Sequence, residues 1–401
     1  MKIGVPTETF PGERRVALTP DSIPALTKLK HSVVVQAGAG TQAGCPDQAY
    51  QVKGATIASS RGEVFQADAV LMVRGFGANP KAGRSDLELM RRDQVLVGMF
   101  DPLSAPPHAK TLAERGVIAF SMELMPRITR AQSMDVLSSQ ATISGYKAVL
   151  LAATHAPRMF PMMMTAAGTI TAAQAFVIGA GVAGLQAIAT SRRLGAVVRA
   201  YDVRPAVKEQ IASLGAKFVE MPLETKGAED KGGYAKEMGE DFVRRQRELM
   251  TRVVAECHVV ITTALIPGKK APVLITADMV RGMMPGSVIV DLAAERGGNC
   301  ELTKADETVC VNGVTILGPS NLPATVPFHA SQMYARNLTT FLREICNKEG
   351  AFTLDPNNEV HRDTLLTRGG EVVQARVREL PGLNPLPSEA PASPPPVQEN
   401  S

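Results

Sequence analysis

The chain has 401 residues, 45% hydrophobic, 20% charged and only 4% aromatic, with no tryptophan. That length predicts two or three domains with an ample core, and the composition is that of a globular α/β protein. The net charge of +4 comes from scattered Lys and Arg, with no basic stripe and no interleaved aromatics, which argues against a nucleic-acid surface. Cys45, Cys257, Cys300, Cys310 and Cys346 are widely spaced, without CxxC or metal-ligand spacing. Free thiols in a reducing compartment, and no metal site, are expected.

Lys2–Val5 opens the chain directly as a strand, which is read as leaving no room for a signal peptide. Further strands are predicted at Val33–Gln36, Ala69–Val73, Val95–Met99 and Val117–Ser121, with amphipathic segments such as Pro20–Lys30 and Asp86–Arg92 between them. This alternation predicts a mostly parallel, doubly wound sheet that lacks a glycine fingerprint of its own.

The densest polar cluster runs from Arg127 to Ser138. On a loop-to-helix transition, Gln132, Asp135 and Ser138 or Ser139 would share one helical face. An amide, a carboxylate and a hydroxyl together suit a carboxamide, the group that ends a nicotinamide ring. Arg127 would anchor a phosphate or pair with Asp135. An N-capped helix with a solvated polar face is the competing reading of the same residues. Gln132 to Thr154 is helical in pattern and reads as a connector into a second domain.

Met159 to Ser191 carries no charge and is long enough to suggest a membrane span. Its proline, glycines and threonines break it into loop, helix, strand and helix, so it reads as buried core of a soluble chain. Within it lies Gly179-Ala-Gly-Val-Ala-Gly184, preceded by the apolar run Ala175–Ile178 and followed by a helix that Gly195 stops. A second strand, Val197–Tyr201, ends in Asp202, about 20 residues after the glycines, which completes a dinucleotide-binding unit. Gly179 would permit the tight turn, Gly181 the approach of a pyrophosphate, and Gly184 close packing of helix on strand. Ala180 and Val182 lie in the same turn, where helical N–H groups would meet the phosphates. Asp202 would accept from the adenosine ribose hydroxyls and repel a 2′-phosphate, which favours NAD over NADP. Val203 and Arg204 follow it, and an arginine there can accommodate the extra phosphate.

Pro222 to Glu240 is polar and holds four glycines around Tyr234. A surface loop and a mobile lid both fit it. More strands are predicted at Lys217–Glu220, Val259–Thr262, Val288–Asp291 and Thr315–Leu317. The segments Thr263–Pro272, with Ala264 and Leu265 at its start, and Asp291–Asn299 each follow a strand. Both would border a cofactor at the sheet's C-terminal edge. His329 to Cys346 reads as a helix returning to the first domain. No GxSxG or HExxH motif occurs. The fold class is α/β, with two Rossmann-like doubly wound parallel-sheet domains joined by long helices. The expected domains are 1–136 plus 325–380, a dinucleotide-binding domain at 137–324 with a mobile loop at 222–240, and a Pro-rich disordered tail at 381–401.

Several runs together resemble a known family nearly as far as Pro381. They are Glu13–Pro20, Arg127–Lys147, the fingerprint with Tyr201–Arg204, Gly232–Met238, Thr263–Pro272 and Asp291–Asn299. They look like the soluble NAD(H)-binding component (domain I) of proton-translocating NAD(P) transhydrogenase, a relative of alanine dehydrogenase. The resemblance implies that Arg127, Gln132, Asp135 and Ser138 position the nicotinamide. It also implies that Tyr234 sits on a loop closing over NAD(H). Hydride would then pass to or from NADP(H) on a partner, domain III, with proton movement through membrane domain II. A homodimer attached to the inner face of a bacterial plasma membrane through its partners is implied as well. Ending without transmembrane helices looks like the split form of the enzyme. The alternatives are an NAD-dependent amino-acid dehydrogenase of the alanine type and a non-catalytic NAD(H) sensor. The dehydrogenase pattern calls for a substrate-binding lysine and a catalytic histidine where this chain has Arg74 and Asp101, which disfavours it.

Overall fold

The computed structural model describes residues 1–220, 240–266 and 268–380. The expectations for Tyr234, for 222–239 and for the tail at 381–401 lie outside the described residues. The first sheet begins with six parallel strands: β1 (Lys2–Val5), β2 (Ser32–Gln36), β3 (Thr56–Ala58), β4 (Ala69–Arg74), β5 (Val95–Met99) and β6 (Ile118–Ser121). A small antiparallel hairpin follows, β7 (Met163–Thr165) and β8 (Gly168–Ile170). The second sheet takes β9 (Gln174–Ile178), β10 (Val197–Tyr201), β11 (Lys217–Phe218), β12 (Val259–Thr262), β13 (Val288–Asp291), β14 (Thr308–Val311) and β15 (Val314–Leu317). Finally β16 (Leu365–Arg368) and β17 (Glu371–Val372) extend the first sheet antiparallel to β6.

The strand orders are β17-β16-β6-β5-β4-β1-β2-β3 and β11-β10-β9-β12-β13-β15-β14. Each sheet reverses its winding once, between β1 and β4 in the first and between β9 and β12 in the second. Crevices open at such points, beyond the carboxyl ends of the strands. Buried on both faces, these strands read as unbroken apolar runs rather than as alternating ones; β12 and β13 are buried throughout. Two parallel-sheet domains of the doubly wound α/β type result.

The hairpin departs from the sequence reading, which placed a helix before β9. Gly168 takes φ +115°, and the Thr165 hydroxyl donates to the Gly168 carbonyl at 3.1 Å and accepts from the Ala167 N–H at 3.1 Å. That turn chemistry and the β-branched Thr and Ile around it outweigh the helical bias of the alanines. No helix among the described residues is long and apolar enough to cross a membrane.

Two long helices link the sheets, Val136–His155 and Pro327–Ile345, the first starting a few residues later than its polar pattern suggested. The connector helix Val136–His155 meets the fingerprint helix Val182–Arg193 at a backbone contact. A Cβ built on Gly145 would lie 2.1 Å from the Ala183 carbonyl oxygen. Gly145→Ala would gain about 1 kcal/mol of helix propensity but cost about 1–3 kcal/mol in overpacking. The clash is with backbone, which yields poorly, so the steric cost wins. The variant is expected to melt several degrees below the parent in a thermal scan; an equal or higher midpoint would show that the two helices separate freely.

Candidate functional site

The ends of three adjacent strands build the site. Ile178 pairs with Tyr201 on one side and with Thr262 on the other, so Gly179, Asp202 and Thr263 leave the sheet side by side. The Gly179 N–H donates to the Tyr201 carbonyl at 2.8 Å, and the Thr263 hydroxyl donates to the Gly179 carbonyl at 3.0 Å. Gly179 has φ +93°, the left-handed conformation that glycine adopts without strain. A Cβ on Gly184 would fall 1.8 Å from the Gly179 carbonyl oxygen, so the helix packs on the turn with no room for a side chain. Gly181, which begins the helix, has nothing among the described residues within 4 Å of its missing Cβ. Its backbone is therefore open to a ligand at the N-terminal end of a twelve-residue helix, where free N–H groups and the helix dipole favour phosphate. These observations fit a dinucleotide, the group that the fold implies.

The other fingerprint positions divide by exposure. Ala180 is buried and gives its N–H to Asp202 Oδ2 at 2.7 Å, whereas Val182 is exposed on the rim. The Asp202 carboxylate is mostly buried and fully engaged. Its Oδ1 accepts from the Arg204 N–H and from Arg204 Nε, each at 2.9 Å, and its Oδ2 also accepts from Arg204 Nη2 at 2.9 Å. Val203 is half-buried between them. Across the crevice, Asn299 holds Ala264 by both backbone polar groups. The Ala264 N–H donates to Asn299 Oδ1 at 2.9 Å, and Asn299 Nδ2 donates to the Ala264 carbonyl at 2.8 Å. Leu265, next in sequence, is exposed, as Val182 is. Asp291 binds no open space. It accepts from the hydroxyls of Thr262 and Thr303 and from the N–H groups of Ala293 and Cys300, so it holds the loops after β13.

The polar cluster before the connector helix is arranged differently from the single face that its spacing suggested. Thr129–Met134 forms a 3-10 turn, the chain extends at Asp135 with ψ 98°, and the α-helix starts at Val136. Gln132 therefore lies on the turn, not on the helix, and its side chain is exposed. Asp135 is the N-cap, accepting from the Ser138 N–H at 3.0 Å and from the Ser138 hydroxyl. Arg127 is exposed just after β6. The shared-face argument fails because the N-cap residue does not take helical torsions. The four residues nevertheless stay on one stretch, at the end of the helix that Gly145 keys to the fingerprint. Asn337, on the returning helix, fixes this stretch by donating to the Ser133 carbonyl at 2.8 Å and accepting from the Ser139 hydroxyl at 2.7 Å. The sequence pattern gave neither Asn337 nor Asn299 a role of its own, because their partners lie far along the chain.

Between the two domains lies a charged cluster. Buried Arg15 spreads its guanidinium over Glu13 (2.6 and 2.7 Å), Gln140 (2.9 Å) on the connector helix and Asn321 (3.0 Å) beyond β15. Arg74 stacks on Phe10 at 4.2 Å and pairs with Glu13 at 3.4 Å and with Glu295 at 3.6 Å. Asp101 pairs with Arg296 at 2.6 Å. Arg74, through Glu295, and Asp101, through Arg296, are thus tied across the interface. Burial would push the Glu13 carboxyl up, but the hydrogen bonds and charge of Arg15 outweigh it and hold it at about 2. Burial, with the charge of Glu13 added, pushes Glu8 up to about 7 even though it accepts from the N–H groups of Val73 and Arg74. Burial likewise raises Glu123 to about 6 against the Ser121 hydroxyl.

Family models for the alanine dehydrogenase/PNT N-terminal and C-terminal domains match residues 4–144 and 148–375. The chain belongs to the alanine dehydrogenase/PNT family. It is 47% identical over 376 residues to a Rhodospirillum rubrum protein named as the first portion of NAD(P) transhydrogenase subunit alpha, covering 93% of this chain and 98% of that one. The crystal structure of transhydrogenase from Sinorhizobium meliloti matches with a TM-score of 0.80 and 44% identity, over 94% of this chain and 99% of that one. Alanine dehydrogenase of Bacillus subtilis is 29% identical, over 97% of each chain. The similarity is thus greater to transhydrogenase alpha subunits, components of an oxidoreductase, than to this dehydrogenase.

The buried carboxyl groups of Glu8, Glu13 and Glu123 give the fold a pH signature. A folded-state pKa raised above the unfolded 4.5 means that the folded protein binds the proton more tightly. The contribution of Glu8 and Glu123 is therefore complete below pH 4.5 and lost as pH rises through 6 and 7. Glu13 acts in the opposite sense, its contribution present above pH 4.5 and lost as pH falls through about 2. The thermal midpoint is expected to fall between pH 5 and pH 8, and Glu8→Gln to flatten that fall. An unchanged slope in the variant would remove Glu8 from this account.

Proposed function

We propose that this chain is the NAD(H)-binding component of a proton-translocating NAD(P) transhydrogenase. The observation that carries the reading is the fingerprint turn at the β9/β12 switch point, with Asp202 beside it and the connector helix locked against it. Gly179, Ala180, Gly181, Val182 and Gly184 would hold the pyrophosphate, Asp202 and Val203 the adenosine end with Arg204 beside them on the carboxylate, and Ala264 and Leu265 the opposite wall. Arg127, Gln132, Asp135 and Ser138 would orient the nicotinamide, and Tyr234 would close over it. Bound NAD(H) supplies the hydride donor or acceptor. The protein's part is to fix the ring's position and exclude water, which requires no general acid or base. NADP(H) would be carried by domain III of a partner, and protons by membrane domain II. Two copies of this chain would form a homodimer docked through those partners on the inner face of the bacterial plasma membrane.

Amino-acid dehydrogenation is disfavoured by the engagement of Arg74 with Glu13 and Glu295 and of Asp101 with Arg296. Mixing the purified chain with an isolated NADP(H)-binding transhydrogenase domain should give fast hydride exchange between NADH and an NADP analogue. Alanine plus NAD should give none. The reverse pattern would make the chain a dehydrogenase, and silence in both would leave a nucleotide-binding module.

Gln132→Asn tests the nicotinamide assignment within that assay. Shortening the side chain shifts the ring without releasing the nucleotide, so the exchange rate should fall by more than the NADH affinity does. Equal losses in rate and affinity would sink the positioning role.

A further inference from the structure

The hydrogen bonding of Asp202 carries a consequence for ligand entry. A carboxylate offers about four acceptor sites, two on each oxygen. All four are filled in this structure. Two belong to backbone donors, the N–H groups of Ala180 and Arg204, at 2.7 and 2.9 Å. The other two belong to one side chain, Arg204, whose Nε and Nη2 reach Oδ1 and Oδ2 at 2.9 Å each. The backbone pair fixes where the carboxylate points and stays in place as long as the turn does. The arginine pair is set by side-chain torsions, which can change without moving the turn.

We infer that Arg204 is a removable latch on the dinucleotide site, an internal stand-in for the cis-diol of a ribose. Its two N–H donors occupy the two acceptor positions that the 2′- and 3′-hydroxyls of an adenosine ribose would take. The diol gains Asp202 only when the guanidinium swings away. Binding is then an exchange of two donors for two donors, and the neutral diol must displace a charge-assisted fork. Apparent affinity is lowered by the fraction of molecules in which the fork is open. The same geometry gives Arg204 a part in selectivity. Displaced from the carboxylate, it is the cation nearest in sequence to the ribose acceptor. Asp202 nevertheless keeps its charge against a 2′-phosphate whether the fork is open or closed. This inference rests on the dinucleotide reading of the site and adds a gating residue to it.

The test is equilibrium binding of NADH and of NADPH, by nucleotide fluorescence or calorimetry, to the full chain and to Arg204→Met and Arg204→Lys. Methionine keeps the length of the side chain but has no donor, and lysine keeps the charge but cannot span two oxygens as a fork. Arg204→Met should bind NADH about tenfold more tightly than the parent, and Arg204→Lys should fall between the two. NADPH should gain nothing in either variant. Folding is checked by thermal melting without nucleotide; if the methionine variant does not fold, the lysine variant must still bind NADH more tightly than the parent. Unchanged or weaker NADH binding in the folded variants would overturn the latch, and so would an equal gain for NADPH, because the effect would then not pass through the carboxylate. Failure of the parent itself to bind NADH would instead overturn the dinucleotide reading.

Discussion

An added methyl at position 145 would stand 2.1 Å from the Ala183 carbonyl, and one at position 184 would stand 1.8 Å from the Gly179 carbonyl. These two contacts are between backbones, with no side chain to adjust, so they fix distances more tightly than ordinary core packing does. Through them the connector helix, the fingerprint helix and the turn after β9 form one stack. The polar residues around Asp135 ride on the first member of that stack and the free N–H groups at the start of the fingerprint helix on the second. A site spread over two domains can hold its geometry only if such a spine links them. Asn337 and Asn299 extend it by clamping, respectively, the turn before the connector helix and the loop after β12.

The charges buried between the domains serve a different end. Arg15 reaches the first domain, the connector helix and the second domain with one planar group, a task suited to the rigid fork of arginine. Burying ions is costly, and this cluster lowers the cost by holding Glu13 ionised against Arg15 while Glu8 and Glu123 are driven towards their protonated forms. Such an arrangement specifies one relative placement of the domains more than it adds net stability. It also ties up the carboxyl end of β4, where Glu8 accepts from the N–H groups of Val73 and Arg74 and Arg74 pairs with Glu13 and Glu295. The β9/β12 switch point contrasts with it in being built from glycine and backbone N–H groups.

Much of this architecture was legible from residues close together in sequence. Apolar runs marked most central strands, and glycines with a following acid marked the turn at β9, because strand burial and turn geometry depend on local residue type. Short elements were missed: β3, β14, β16, β17 and the separate β7–β8 hairpin are two to four residues long, too short to show a period, and exist through pairing. The expected shared face for Gln132, Asp135 and Ser138 failed for a related reason. Periodicity assumes one continuous helix, whereas a capping residue that satisfies the first turn interrupts it.

The sequence by itself determined the α/β class, the position of the glycine-rich turn after β9 and the identity of its glycines, since each depends on backbone torsions and burial over a few residues. Only the tertiary structure decided that Gly145 keys two helices together, that Asn299 and Asn337 hold distant loops, and that Arg74 and Asp101 are engaged by partners across the interface. It alone also showed Arg204 folded back on Asp202 with every acceptor filled. Those facts depend on which groups meet after hundreds of intervening residues have folded, or on which rotamer a side chain takes once they have, and spacing along the chain encodes neither.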